Sequence, residues 1–125
     1  MSGLTLDTGG LIGLDRGERR VVALVARATE RGLRITVPAT ALAQAMRNPA
    51  RQARLTRFVR QATTNLAVLD GRDATATGLL LAASRTTDIV DAHVVVCARR
   101  TDDIIVTSDA DDLRRLDPTL RLQRV

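Results

Sequence analysis

IIVTSD, residues 104–109, and LTLD, residues 4–7, decide the fold class: each is a short run of apolar and β-branched residues that closes on an aspartate. Runs of this length bounded by turn formers read as buried strands. If the two are neighbours in one parallel sheet, Asp7 and Asp109 emerge at the same edge, where open α/β sheets bind ligands. A third apolar segment, DIVDAHVVVCA (residues 88–98), adds Asp88 and Asp91. Ionised carboxylates that converge repel one another unless a cation neutralises them, so the pattern points to a bound metal.

Outward from these runs the chain alternates strand and helix. A Thr8-Gly9-Gly10 turn leads into a short helix around 11–14. Val21, Leu24, Val25 and Ala28 have helical spacing over 21–30, and Gly32 is placed to end that helix. Residues 35–37 form a second strand halted by Pro38, and 39–47 are helical until Asn48-Pro49 breaks them. A basic helix over 51–62 turns Leu55, Phe58 and Val59 inward and Arg51, Arg54, Arg57 and Gln61 outward. Leu66 to Leu69 is a third strand, followed by an Asp70-Gly71 turn and helices over 73–84 and 89–100, the second capped by Thr87 or Asp88. The fourth strand is 104–107, then a short helix over 110–116 and a marginal fifth strand over 120–123. Strands separated by helices predict a three-layer α/β domain, with a parallel sheet of four to five strands flanked by helices.

At 125 residues the chain is expected to be one domain, residues 1–125, with a single core. No apolar run reaches the ~18 residues of a membrane span, and MSGLTLD lacks the character of a signal peptide. The lone Cys97 reads as a small buried hydrophobe and agrees with a reducing, cytoplasmic setting. The 19 basic residues are all arginine, against 14 acids. Residues 1–69 hold 11 arginines and 4 acids, residues 70–125 hold 8 and 10. A basic half beside an acidic site suits a polyanion that must reach a metal centre. Phe58 is the only aromatic residue, so bases are not read by stacking on aromatic platforms.

Asp7, Asp91 and Asp109 carry the most weight as ligands. Hard divalent cations such as Mg²⁺ take oxygen donors, and one or two carboxylates plus substrate phosphate suffice. Such an ion orients and acidifies water for attack on a phosphodiester. Asp88 lies three residues before Asp91 on the same helical face, as a further ligand or an N-cap; Asp112, three beyond Asp109, is a further ligand or a first-turn acid favoured by the helix dipole. Asp111 reads as solvated. Thr8 and Ser108 adjoin the ligands and can hydrogen-bond carboxylates or water. Other readings fail on the chain as a whole. Asp7-Thr8-Gly9 spells the triad of aspartic proteases, but those are nearly all β. Gly9, Gly10 and Gly13 do not form G-x-G-x-x-G, and a lysine-free chain has neither a phosphate-loop lysine nor that of a receiver domain. His93, alone on an apolar helix, is a packed residue, a ligand or a base.

LTLDTGGLIGL, ITVPATALAQAMR, TDIVDAHVVVCA and IIVTSDADDLRRL, in this order and spacing, resemble the motifs of PIN-domain ribonucleases, and most closely the VapC-like toxins of bacterial type II toxin–antitoxin pairs. The resemblance implies strand order 3-2-1-4-5 and a Mg²⁺- or Mn²⁺-dependent endoribonuclease that hydrolyses RNA with metal-activated water. It also implies a homodimer and a cognate VapB-like antitoxin. Asp7, Asp91 and Asp109 match the family's first, third and fourth acids, and Asp112 falls where many members carry another acid or polar group. The second acid, normally glutamate, is Gln44 here. A glutamine is neutral: it can orient water but adds no charge and cannot act as a base. A weakened or inactive RNA- or protein-binding module is therefore the alternative. Arg47, nearby, is a candidate to face substrate or antitoxin.

Overall fold

The computed structural model describes residues 2–125. Five strands, β1 (Leu4–Leu6), β2 (Ile35–Pro38), β3 (Thr64–Ala67), β4 (Ile104–Thr107) and β5 (Leu122–Arg124), form one sheet in the order β3-β2-β1-β4-β5. All four pairings are parallel. Seven helices connect and flank them: α1 (Thr8–Asp15), α2 (Arg19–Glu30), α3 (Ala39–Ala45), α4 (Ala53–Arg60), α5 (Gly71–Ser84), α6 (Ile89–Thr101) and α7 (Ala110–Leu116). The α/β class is that expected from the alternation of strands and helices, and the 3-2-1-4-5 order is that implied by the resemblance.

Strands covered on both faces have no polar side to show, and β1, β2 and most of β4 are buried at every position. Leu6, Val37, Ile105 and Val106 meet Leu11, Leu55, Val94, Val95 and Leu113 from the helices in one core. The chain leaves β1 towards β2 on one side, while β4 pairs on its other side with Leu6 beside Val106. The topological switch point therefore lies between β1 and β4, and their C-terminal ends open the crevice.

Several boundaries differ from the sequence reading. Thr8-Gly9-Gly10 is the first turn of α1, not a separate turn: Asp7 caps the helix by accepting from Gly10 N at 2.8 Å. The glycines let α1 close on β4, since a Cβ at Gly10 would sit 2.8 Å from the Val106 carbonyl oxygen and one at Gly9 2.0 Å from Ser108 Oγ. The basic segment begins with a 3₁₀ turn at Pro49–Arg51 before α4, and Asp15 accepts from Leu55 N at α4's start. Helix α5 starts two residues early, at Gly71, because Asp70 is its N-cap. Strand β3 is 64–67 rather than 66–69: at the sheet edge it pairs Thr64 and Asn65 with β2, and Val68 and Leu69 run past the ladder into solvent. Strand β5 is likewise shifted to 122–124. Cys97 is buried, and no helix among the described residues is long and apolar enough to cross a membrane.

Candidate metal centre

Asp7 follows β1 and Asp109 follows β4 at the switch point, and the start of α6 brings Asp91 to the same edge. Carboxylate oxygens of Asp91, Asp109 and Asp112 all lie within 4.8 Å of one another. Asp112 reaches the group because α7 starts directly after Asp109, so the two acids are three residues apart on its first turn. Asp91 and Asp109 have no ion-pair partner among the described residues, and Asp112 has only the exposed Arg115 at 3.6 Å. Beside the three opens a cavity of about 220 Å³ lined by Thr86, Thr87, Asp88, Asp91, Asp112, Arg115 and Leu116. A larger one, about 1090 Å³, lies at the opposite edge of the sheet between Gly3, Arg34, Thr64 and Asp103, away from these carboxylates.

Electrostatics mark the cluster as short of positive charge. Burial and the negative charges of Asp88, Asp109, Asp7 and Asp112 push the Asp91 carboxyl up to about 7. Asp109 is raised by burial and by its hydrogen bond and proximity to Asp112. Asp7, only 3% exposed, is raised by burial even though Thr107 and the amides of Gly10 and Gly9 hydrogen-bond it. A donor set of crowded oxygens that resist ionising together fits a hard divalent cation, whose charge removes that resistance.

The remaining sequence candidates divide. Asp7 stands behind the group of three, close enough to act on Asp91 and Asp109 through its charge. Asp88 is the N-cap of α6, accepting from Asp91 N at 3.0 Å, and lies outside that group. Gln44 is exposed on α3, where its Oε1 accepts from Thr8 Oγ1 at 2.7 Å, which ties α3 to the residue after Asp7. Arg47 donates to the carbonyl oxygens of Ala43 and Met46 and so caps the end of α3. Ser108 is exposed; the hydroxyl that serves the site belongs to Thr107, which hydrogen-bonds Asp7 and accepts from Asp109 N at 2.8 Å. Thr107 read as an ordinary strand residue, and only its place opposite the end of β1 reveals this link.

No family model matches the chain, and no curated protein matches it in sequence. Solved structures do match over nearly its whole length. A chain of the DNA-bound VapBC from Salmonella typhimurium superposes with a TM-score of 0.71 at 18% identity, covering 99% of this chain and 98% of that one. VapBC2 from Rickettsia felis, bound to a DNA fragment from its promoter, gives 0.68 at 14% identity with 98% of each chain covered. FitAcB from Neisseria gonorrhoeae gives 0.66 at 14% identity with 95% of each covered. At such identities the likeness is one of fold. The chain has the PIN-like α/β fold found in VapC-type structures, with a carboxylate cluster at its switch point.

Proposed function

We propose that this protein is a metal-dependent endoribonuclease and the toxin of a VapBC-like pair, held in check by a VapB-like antitoxin and acting as a homodimer. The observation that carries the reading is the convergence of Asp91, Asp109 and Asp112, without arginine partners for the first two, beside buried Asp7. The likeness to VapBC and FitAcB structures supports a partner protein.

In this reading Asp91, Asp109 and Asp112 hold the cation, Mg²⁺ or Mn²⁺. When bound, it supplies charge neutralisation for the phosphodiester and makes an attacking water more acidic. Asp7 stays fixed by Thr107 and Gly10 and contributes negative charge from behind. Asp88 sets the start of α6 and so the position of Asp91. Gln44, held by Thr8, offers a neutral amide at the rim, where it can orient water or phosphate without adding charge. The arginines of α2 and α4, with Arg16, supply phosphate contacts for RNA.

The test is cleavage of total RNA with Mg²⁺ or Mn²⁺ by the wild type and by Asp7→Asn. Cleavage by the first and not the second is expected; equal cleavage removes Asp7 from the reaction, and equal cleavage by Asp91→Asn as well sinks the site. Gln44 favours one other reading, a module that binds RNA or a partner without cutting. Salt-sensitive RNA binding with no cleavage by the wild type would establish it.

A further inference from the structure

Helix α6 carries a second group of donor atoms, turned into the core. His93 and Cys97 are four residues apart on one face of α6, and Asp73 faces them from the first turn of α5. All three are buried, at 0%, 3% and 3% exposure, and one donor atom from each lies within 4.8 Å of the others. We propose that Asp73, His93 and Cys97 form a buried site for a thiophilic divalent cation of the Zn²⁺ class, separate from the acidic cluster.

The geometry around His93 supports this. Nδ1 is 2.7 Å from Thr40 Oγ1, whereas Nε2 faces Asp73 Oδ2 at 3.4 Å, longer than a good hydrogen bond. A neutral ring can carry its proton on Nδ1, towards Thr40, which leaves the Nε2 lone pair towards Asp73 Oδ2; a cation between these two atoms would then bond both. Asp73 keeps its other oxygen on Arg100. Thr40 and Arg100 thus act as the outer partners that fix a ligating imidazole and carboxylate.

The donor types select the metal. Imidazole nitrogen, thiolate sulfur and carboxylate oxygen suit Zn²⁺, while Mg²⁺ takes oxygen alone. Zinc-bound N and S atoms stand about 3.5 Å apart, so closing the site needs side-chain shifts of about 1 Å. Burial first, and then the charge of Asp73, push the Cys97 thiol up to about 12; a cation reverses both effects, and the thiol proton passes to solvent as the bond to sulfur forms. One turn beyond Asp73 on α5, Thr77 is 3% exposed and its hydroxyl has no hydrogen-bond partner. A cavity of about 380 Å³, whose lining includes Asp70, Arg72 and Arg100, reaches the site at Asp73.

The test is titration of chelator-treated protein with Co²⁺ as spectroscopic probe, then Zn²⁺. One equivalent of Co²⁺ should produce a thiolate-to-cobalt charge-transfer band that Zn²⁺ abolishes and excess Mg²⁺ leaves intact. Cys97 is the chain's sole cysteine, so the band reports on this site even without a variant. His93→Gln should weaken Co²⁺ binding at least about tenfold, and Asp91→Asn with Asp109→Asn should leave the band unchanged. No band from the folded wild type, or a band that His93→Gln leaves at full affinity, overturns the proposal.

Discussion

Helix α6 divides its polar residues between two environments. Its first turn places Asp91 among Asp109 and Asp112 at an open edge, while two residues on, His93 points inward to Asp73, which Arg100 also pairs. The inner carboxylate has its positive partner within the chain; Asp91 and Asp109 have none among the described residues, and Asp112 has only the exposed Arg115. A buried charge left unpaired is too costly to persist, so the fold satisfies Asp73 internally. At the edge, water makes the imbalance tolerable, and the negative charge stays available for a ligand. The outer cluster thus carries a repulsion that costs stability, whereas the inner carboxylate has its charge met within the fold.

Breaking the inner pair should have the largest effect. Arg100→Ala leaves Asp73 buried with only His93 beside it and should cost about 3 kcal/mol, a fall in Tm of roughly 10 °C. Arg115→Ala, which frees Asp112 from its exposed partner, should change Tm hardly at all. Thermal unfolding of the two variants checks the contrast; equal losses would remove it.

At the outer cluster the loss should fall on activity. Asp91→Asn keeps the shape but removes a charge, and should lower RNA cleavage about 100-fold or more while leaving the fold at least as stable as the wild type. A variant that cleaves at the wild-type rate would exclude Asp91 from the reaction.

The metal-free protein should also show the imbalance in its pH dependence. Asp91 ionises near 7 in the fold, against an ordinary value of 3.8 when unfolded, so between these values the unfolded state binds fewer protons. Stability must then fall as pH rises through that window and level off above it. Half-buried and partly screened, Asp91 should account for roughly 2 kcal/mol of the fall. Asp91→Asn should flatten the slope, and millimolar Mg²⁺ should restore stability near neutral pH in the wild type but not in the variant. Denaturation midpoints across pH, with and without metal, decide it.

The outer cluster was legible in the sequence because its geometry follows from local rules. An aspartate directly after a buried strand must appear at the sheet edge, and β4 and α7 fall on 104–107 and 110–116 as their apolar spacing dictates. The inner network was not legible, because Asp73 meets His93 across 20 residues and Thr40 meets it across 53, contacts made only by packing α3 and α5 on α6. His93 and Cys97 four apart on an apolar helix were the one signal, and each alone reads as core. Strand β3 misled for the opposite reason: its most apolar residues, Val68 and Leu69, lie beyond the ladder, so hydrophobicity pointed two residues too far along.

Gln44 sharpens the comparison from the outer side. Its Oε1 already accepts from Thr8, so a glutamate can keep that hydrogen bond and bring a new negative charge to the rim of the cluster. Gln44→Glu should therefore tighten Mg²⁺ about fivefold, near 1 kcal/mol, because affinity for hard cations rises with the charge of the donor set. The same change should lower metal-free stability slightly at neutral pH, since it adds to the repulsion that already raises Asp91. If instead the variant leaves the Mg²⁺ midpoint of RNA cleavage unmoved, Gln44 lies outside the electrostatic reach of the cluster. Its bond to Thr8 would then serve only to hold α3 against α1.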